Sequence, residues 1–224
     1  MTTSIDHLIV MASSLDEGAA WCEATLGITP GPGGEHAFMG THNRLFKIAS
    51  DAFPHAYFEI IAINYAANNT YRKCLNRWFD MDSEALQAKI STAGPQLIHW
   101  VANVPILAPR LQALRALGIE RGEAVQASRD TPHGLLQWQI SIRDDGQRLF
   151  DGCLPTLIEW GDVHPTDNMP ASGVVLKALQ LTHPNAPLLE QAMNQIGLPM
   201  PIASGAASLS VDLQTPKGPV RLST

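Results

Sequence analysis

Two histidines and two glutamates recur in matching surroundings. Ile5-Asp6-His7-Leu8-Ile9-Val10 lines up with Leu97-Ile98-His99-Trp100-Val101-Ala102, which sets His7 on His99. Tyr57-Phe58-Glu59-Ile60-Ile61 lines up with Leu157-Ile158-Glu159-Trp160-Gly161, which sets Glu59 on Glu159. The paired positions stand 52 residues apart in one half (7 to 59) and 60 in the other (99 to 159), a difference that a loop such as 144–155 absorbs. Both glutamates sit among apolar strand residues, where an ionised carboxylate is costly to bury without a metal, a cation or hydrogen-bond donors beside it. Imidazole and carboxylate together suit Zn, Ni, Co, Mn or Fe(II), and four side-chain ligands leave up to two positions of a six-coordinate ion for substrate oxygens. Such an ion, held by His7, Glu59, His99 and Glu159, would polarise a carbonyl or stabilise an enediolate, with a displaceable Glu59 or Glu159 as general base. The bland alternative is that duplication repeated two structural, hydrogen-bonded residues.

Further candidates lie around this quartet. His42, in the glycine-flanked segment Gly40-Thr41-His42-Asn43, could face the site as an acid/base group, or simply belong to a polar turn. Arg44, His36 and His133 could orient an anionic substrate. Gln137 and Gln139 flank Trp138 on one face of their strand and would offer amides to a polar ligand. Trp100 and Trp160 directly follow His99 and Glu159, so strand alternation turns them to the opposite face, toward helices. No G-x-S-x-G segment is present, Cys22 falls in a helical pattern without an adjacent base, and Gly31-Pro32-Gly33-Gly34 lacks the Lys-Ser/Thr of a phosphate loop.

The elements that must position these residues repeat as well. Residues 5–11 read as a strand and 14–26 as a helix begun by Ser14. Three strands follow, near 37–39, 44–48 and 57–63, with 40–43 as a turn. After a connecting segment containing a helical stretch at 83–90, the pattern restarts: strand 97–104, helix 106–117, and strands 123–128, 135–142 and 155–160. A shorter third echo has strand 176–182, helix 186–196 closed by Gly197, and a hairpin turning at Pro216-Lys217-Gly218. The expected organisation is an α+β chain of two βαβββ modules, residues 1–64 and 96–162. A connector, 65–95, joins them, and a C-terminal βαββ extension, 163–224, packs on both.

Charge and composition narrow the function. With 15 Lys and Arg against 21 Asp and Glu, the formal net charge is −6 and no basic stripe exists, which argues against nucleic acid as a partner. The N-terminal segment lacks a basic region and a long apolar run, so we expect a cytoplasmic protein with no membrane association. Three scattered cysteines give neither a disulfide framework nor a structural zinc site.

The doubled βαβββ pattern, with His in each first strand and Glu in each last strand, resembles the vicinal-oxygen-chelate superfamily of glyoxalases, epimerases, extradiol dioxygenases and antibiotic-resistance proteins. The segments Asp6-His7-Leu8-Ile9-Val10, Met39-Gly40-Thr41-His42-Asn43-Arg44-Leu45, Tyr57-Phe58-Glu59-Ile60-Ile61-Ala62, Arg77-Trp78-Phe79 and His99-Trp100-Val101 resemble its glyoxalase-like-domain group. The resemblance implies a cup of curved mixed sheets, a divalent metal on His7, Glu59, His99 and Glu159, and a small substrate with adjacent oxygens. A metal-dependent lyase or isomerase is the expected activity. The alternatives are a non-catalytic binding or resistance protein of the same fold, or an Fe(II) ring-cleaving dioxygenase. Both modules lie in one chain, so a monomer could complete the cup, and a homodimer through an edge strand stays open.

Overall fold

The computed structural model describes residues 2–66, 76–131 and 134–224. The first module runs β1 (Ser4–Met11), α1 (Leu15–Thr25), β2 (Glu35–His36), β3 (Thr41–Lys47) and β4 (Tyr57–Ile63). The connector contributes a 3-10 turn at Trp78–Asp80 and helix α2 (Glu84–Ala93). The second module follows as β5 (Gln96–Asn103), α3 (Leu107–Ala116), β6 (Glu123–Thr131), β7 (Gly134–Ile142) and β8 (Thr156–Trp160). In each module the first strand pairs in parallel with the last, and β1 pairs antiparallel with β5. The result is one curled eight-stranded sheet of order β2-β3-β4-β1-β5-β8-β7-β6, with the two modules side by side.

Local chemistry explains these boundaries. Ser14 caps α1 by accepting from the Glu17 amide at 3.1 Å, while Glu17 accepts from the Ser13 amide at 2.8 Å. Ser83 caps α2 in the same way, and Gly94, at φ 76°, ends it. The turn expected at 40–43 lies earlier, at 37–40, and the strand expected at 37–39 is instead the short β2. Gly40, at φ 60°, supplies the left-handed residue that closes the turn, so Thr41, His42 and Asn43 are free to pair with Ile63, Ala62 and Ile61.

The extension forms β9 (Val175–Thr182), α4 (Ala186–Ile196), β10 (Ile202–Ala203), β11 (Ser208–Thr215) and β12 (Gly218–Ser223), a separate sheet of order β10-β9-β11-β12. It differs from the modules in topology as well as in its unanticipated β10, because β9 pairs with β10 and β11 rather than with the last strand. Its inner face shares one core with the helix-bearing side of the large sheet, where Leu176, Leu189 and Leu209 join Phe58, Trp100 and Leu157. Trp100 is fully buried there, as alternation requires, and donates Nε1–H to the Cys153 carbonyl at 3.0 Å. The concave side has its own core. The connector fills much of it, with Trp78, Phe79, Leu86 and Ile90 packing on Ile9, Ile61, Val101 and Ile158.

Candidate active site in the cup

The part of the concave side left open is a small cup of about 40 Å³ beside His7 and Glu59. His7 and Glu59 come from adjacent parallel strands, β1 and β4. Tyr57, two residues before Glu59 on the same face, stacks on the His7 ring at 4.5 Å. Asp6 is completely buried and accepts three hydrogen bonds: from His7 Nδ1 at 2.6 Å, Trp160 Nε1 at 2.9 Å and His164 Nε2 at 3.0 Å. The Thr166 amide donates to His164 Nδ1, so the Nε2 proton of His164 is the one given to Asp6. On its other side His7 presents Nε2 to Glu59 Oε2 at 3.4 Å, and Asn43 Nδ2 donates to Glu59 Oε1 at 2.6 Å.

These contacts set the protonation states. Burial opposes charge on His7, but its hydrogen bonds to Asp6 and Glu59 and the charges of those two carboxylates outweigh it and raise the imidazole to about 9. Burial likewise opposes ionisation of Asp6 and Glu59, yet their histidine partners, with Asn43 on Glu59, hold both carboxyls below their ordinary range. At neutral pH the chain is therefore carboxylate, imidazolium, carboxylate. His36, across the cup, goes the other way: burial pushes it down to about 4, leaving a neutral ring hydrogen-bonded to Thr41 Oγ1 at 3.1 Å.

The remaining wall crosses between modules. Trp138 and Trp160, from β7 and β8, line the cup with Trp78 and Phe79 from the connector. Phe79 and Asp80 hold left-handed backbone, at φ 61° and 58°, an arrangement that costs on the order of 1–3 kcal/mol per residue. The Asp80 amide bonded to the Gly146 carbonyl and the Asp80 carboxylate bonded to Arg148 keep it in place. The Trp78 indole N–H is buried with no acceptor among the described residues. Arg129 reaches over from β6 and lies on Gly34, in the space a side chain at 34 would need.

The four residues expected to bind metal do not converge. His99 pairs opposite Ile9, and its ring is fully engaged: Nδ1 donates to the Gly152 carbonyl at 3.1 Å, while Nε2 accepts from the Thr156 amide at 3.2 Å. Glu159 points to the helix side of the sheet, where its Oε2 accepts from the Leu107 amide at 2.6 Å and caps α3. Its neighbours show why: Leu157 packs in the helix-side core, and Ile158 and Trp160 face the concave side. The alignment that set Glu159 on Glu59 thus matched letters on opposite faces of two strands, and Trp160, expected to face helices, faces the cup. His7 Nε2 and Glu59 Oε2 are spaced as two ligands of a tetrahedral ion at ~2.1 Å would be. No group of three His, Cys, Asp or Glu among the described residues is disposed to hold a metal ion. The donor set does not fit the four-ligand site that the resemblance implies.

Of the other expected residues, His36 lines the cup. His42 and Arg44 alternate with Asn43 and Leu45, which do line it; Arg44 instead reaches Asp16 of α1 at 3.8 Å. Gln137 and Gln139 share their face with Glu159, on an open polar depression of about 330 Å³ behind the cup. His133 lies outside the described residues. Asn43 and Arg129, which were not among the expected site residues, also line the cup, and Asp6 and His164, likewise outside that set, hold His7 from behind. For Asp6 a signal existed, since an acid inside a β-branched run must find buried donors.

Paired βαβββ modules closing one curled sheet around a cup define the vicinal-oxygen-chelate fold. Within that class the chain belongs to the glyoxalase-like domain family, whose model matches residues 5–197. No curated protein matches the sequence. Among solved structures, a hypothetical protein from Staphylococcus aureus is 17% identical with a TM-score of 0.59, covering 99% of this chain and 85% of that one. A methylmalonyl-CoA epimerase from Mycobacterium tuberculosis is 12% identical with a TM-score of 0.41, covering 73% and 91%. A Streptomyces coelicolor methylmalonyl-CoA epimerase variant with bound 2-nitronate-propionyl-CoA is 14% identical with a TM-score of 0.44, covering 73% and 99%. At these identities the likeness is one of fold. No helix among the described residues is long and apolar enough to cross a membrane.

Proposed function

We propose that the chain is an isomerase or lyase that moves a proton on a small carbonyl substrate, with Glu59 as the base and His7 as the acid. The observation that carries this reading is the buried Asp6–His7–Glu59 chain ending in an aromatic-lined cup. Glu59 takes the proton from the carbon next to the carbonyl while His7 Nε2–H is donated to the carbonyl oxygen. The product is a neutral enol, and return of the proton to the other carbon or face completes an isomerisation. Asp6 and His164 do not touch the substrate; they fix the orientation of His7 and keep its Nδ1 protonated once Nε2 has given up its proton, as a buried carboxylate does for a catalytic imidazole. Entry of the substrate between His7 and Glu59 removes the partner that holds Glu59 ionised and so makes it a stronger base. The orphaned Trp78 N–H is a donor available to a second substrate oxygen. Because both modules of one chain line the cup, this chemistry asks for no partner subunit.

The test is deuterium uptake from D2O by a panel of 2-oxo acids and 2-hydroxy ketones, followed by proton NMR, alongside elemental analysis of the same untagged protein. We expect exchange at the carbon next to the carbonyl, slowed about 100-fold or more in Glu59→Gln. Exchange unaffected by that substitution would overturn the reading, as would stoichiometric metal that disappears in His7→Gln. A panel that binds without exchanging would favour the binding-protein alternative.

A further inference from the structure

The cup is too small to be the whole site. Its volume of about 40 Å³, where ~10–15 Å³ admits one water, has room for a few atoms such as a carbonyl or carboxyl group. Immediately beside it runs a groove of about 790 Å³, within the ~300–1,000 Å³ range of sites that bury small molecules. The two adjoin, with Leu45, Arg129, Leu136 and Pro165 lining both.

We propose that this groove is the second half of the substrate site and takes the apolar chain or ring of a monoanionic acid whose carboxylate meets Arg129. The reading rests on the cup as the reacting centre and names the class of molecule that reaches it. Beyond the junction the groove is walled largely by Ile28, Phe46, Val163, Met169 and Pro170, so hydrocarbon gains by leaving water there. Arg129 is the only Lys or Arg among the described residues lining either space, and its guanidinium makes no hydrogen bond or ion pair with any described residue. A half-buried guanidinium whose donors meet no acceptor among the described residues, at the boundary between a reactive pocket and an apolar trough, is built for a planar carboxylate. Asp130, the one carboxylate among the described residues of the groove, is exposed to water. The groove also draws on both modules and on the segment after β8, since Gly31, Leu136 and Pro170 all line it, so the C-terminal extension begins by completing the site.

Decanoate serves as the probe, because it carries the tail and the anion but no 2-oxo group and therefore reports the groove alone. Titration calorimetry with the full chain should give a Kd below about 1 mM, with decanol at least about tenfold weaker. Arg129→Gln should weaken decanoate by about tenfold or more. Ala171→Trp, which fills the groove from an exposed position away from the cup, should do the same for decanoate and decanol alike. Decanoate binding no tighter than decanol, or binding untouched by both substitutions, overturns the proposal. Deuterium exchange that fails while decanoate binding behaves as expected would instead refute the proton-transfer chemistry of the cup, so the two failures are separable.

Discussion

Replacing Asp6 by Asn puts the positioning network under strain without changing its size. Asp6 accepts from three donors, His7 Nδ1, Trp160 Nε1 and His164 Nε2, at 2.6–3.0 Å and with no exposure to solvent. Asparagine offers one acceptor oxygen and turns an NH2 group toward donors, so no orientation satisfies all three. Hydrogen bonds to a charged group are each worth about 1.5–3 kcal/mol, and breaking a buried ion pair by removing one partner costs about 3–5 kcal/mol. We therefore expect Asp6→Asn to destabilise the fold by about 3–5 kcal/mol in urea unfolding at pH 7. The sign with pH follows from His7, whose folded value of about 9 lies above its ordinary 6.5. Its contribution is fully present below about 6.5 and is lost as pH rises through 9. The difference between wild type and Asp6→Asn must therefore shrink between pH 7 and pH 10, and His7 in the variant must titrate well below 9 by NMR. A destabilisation under about 1 kcal/mol, or one that does not change over that interval, would refute the reasoning.

Other substitutions separate structural from chemical roles. Glu159→Ala should cost about 0.5–2 kcal/mol through the lost cap of α3 and leave the His7 titration where it was; a large shift of His7 would mean that Glu159 does reach the cup. His36, held down at about 4 by burial, should stay neutral in an NMR titration to below pH 5. Since that lowered value favours the unfolded chain once protons bind, thermal stability should fall as pH drops from about 6.5 toward 4, which a scan of melting temperature against pH measures. Gly34→Ala should displace the Arg129 guanidinium that lies against Gly34, weakening decanoate binding while leaving urea stability within about 1 kcal/mol. Equal decanoate affinity in that variant would separate Arg129 from the groove.

The doubled βαβββ architecture was legible because the two modules repeat strand, helix and strands in the same order, and helix 186–196 was read to the residue from its Gly197 stop. His7 and Glu59, picked out by the same repeat, do stand together at the cup. The second pair, His99 and Glu159, does not. Both ring nitrogens of His99 are taken up by Gly152 and Thr156. Glu159 faces away, because a strand's letters do not declare which face they occupy and a one-residue offset exchanges cup for helix side. Leu157-Ile158-Glu159-Trp160 alternates out, in, out, in, so that Trp160 rather than Glu159 enters the cup. The same slip placed Gln137 and Gln139 on the cup side, where Trp138 between them stands instead. His42 was misplaced by reading a strand start as a turn, which also hid Asn43 beside it, while Arg44 alternates with the cup-lining Leu45. Arg129 and His164 left no local trace. Both depend on tertiary approach, one across the cup to Gly34 and the other from 158 residues away to Asp6.

The titration of His7 in metal-free protein, followed through its ring Cε1–H by NMR in wild type and Glu59→Gln, tests the acid–base pair most directly. We expect an imidazolium that persists to about pH 9 in wild type and loses its proton at distinctly lower pH once the Glu59 charge is removed. A His7 ring that titrates at or below 6.5 in wild type, or that is indifferent to Glu59→Gln, would contradict the buried proton-bearing pair on which the proposed chemistry stands.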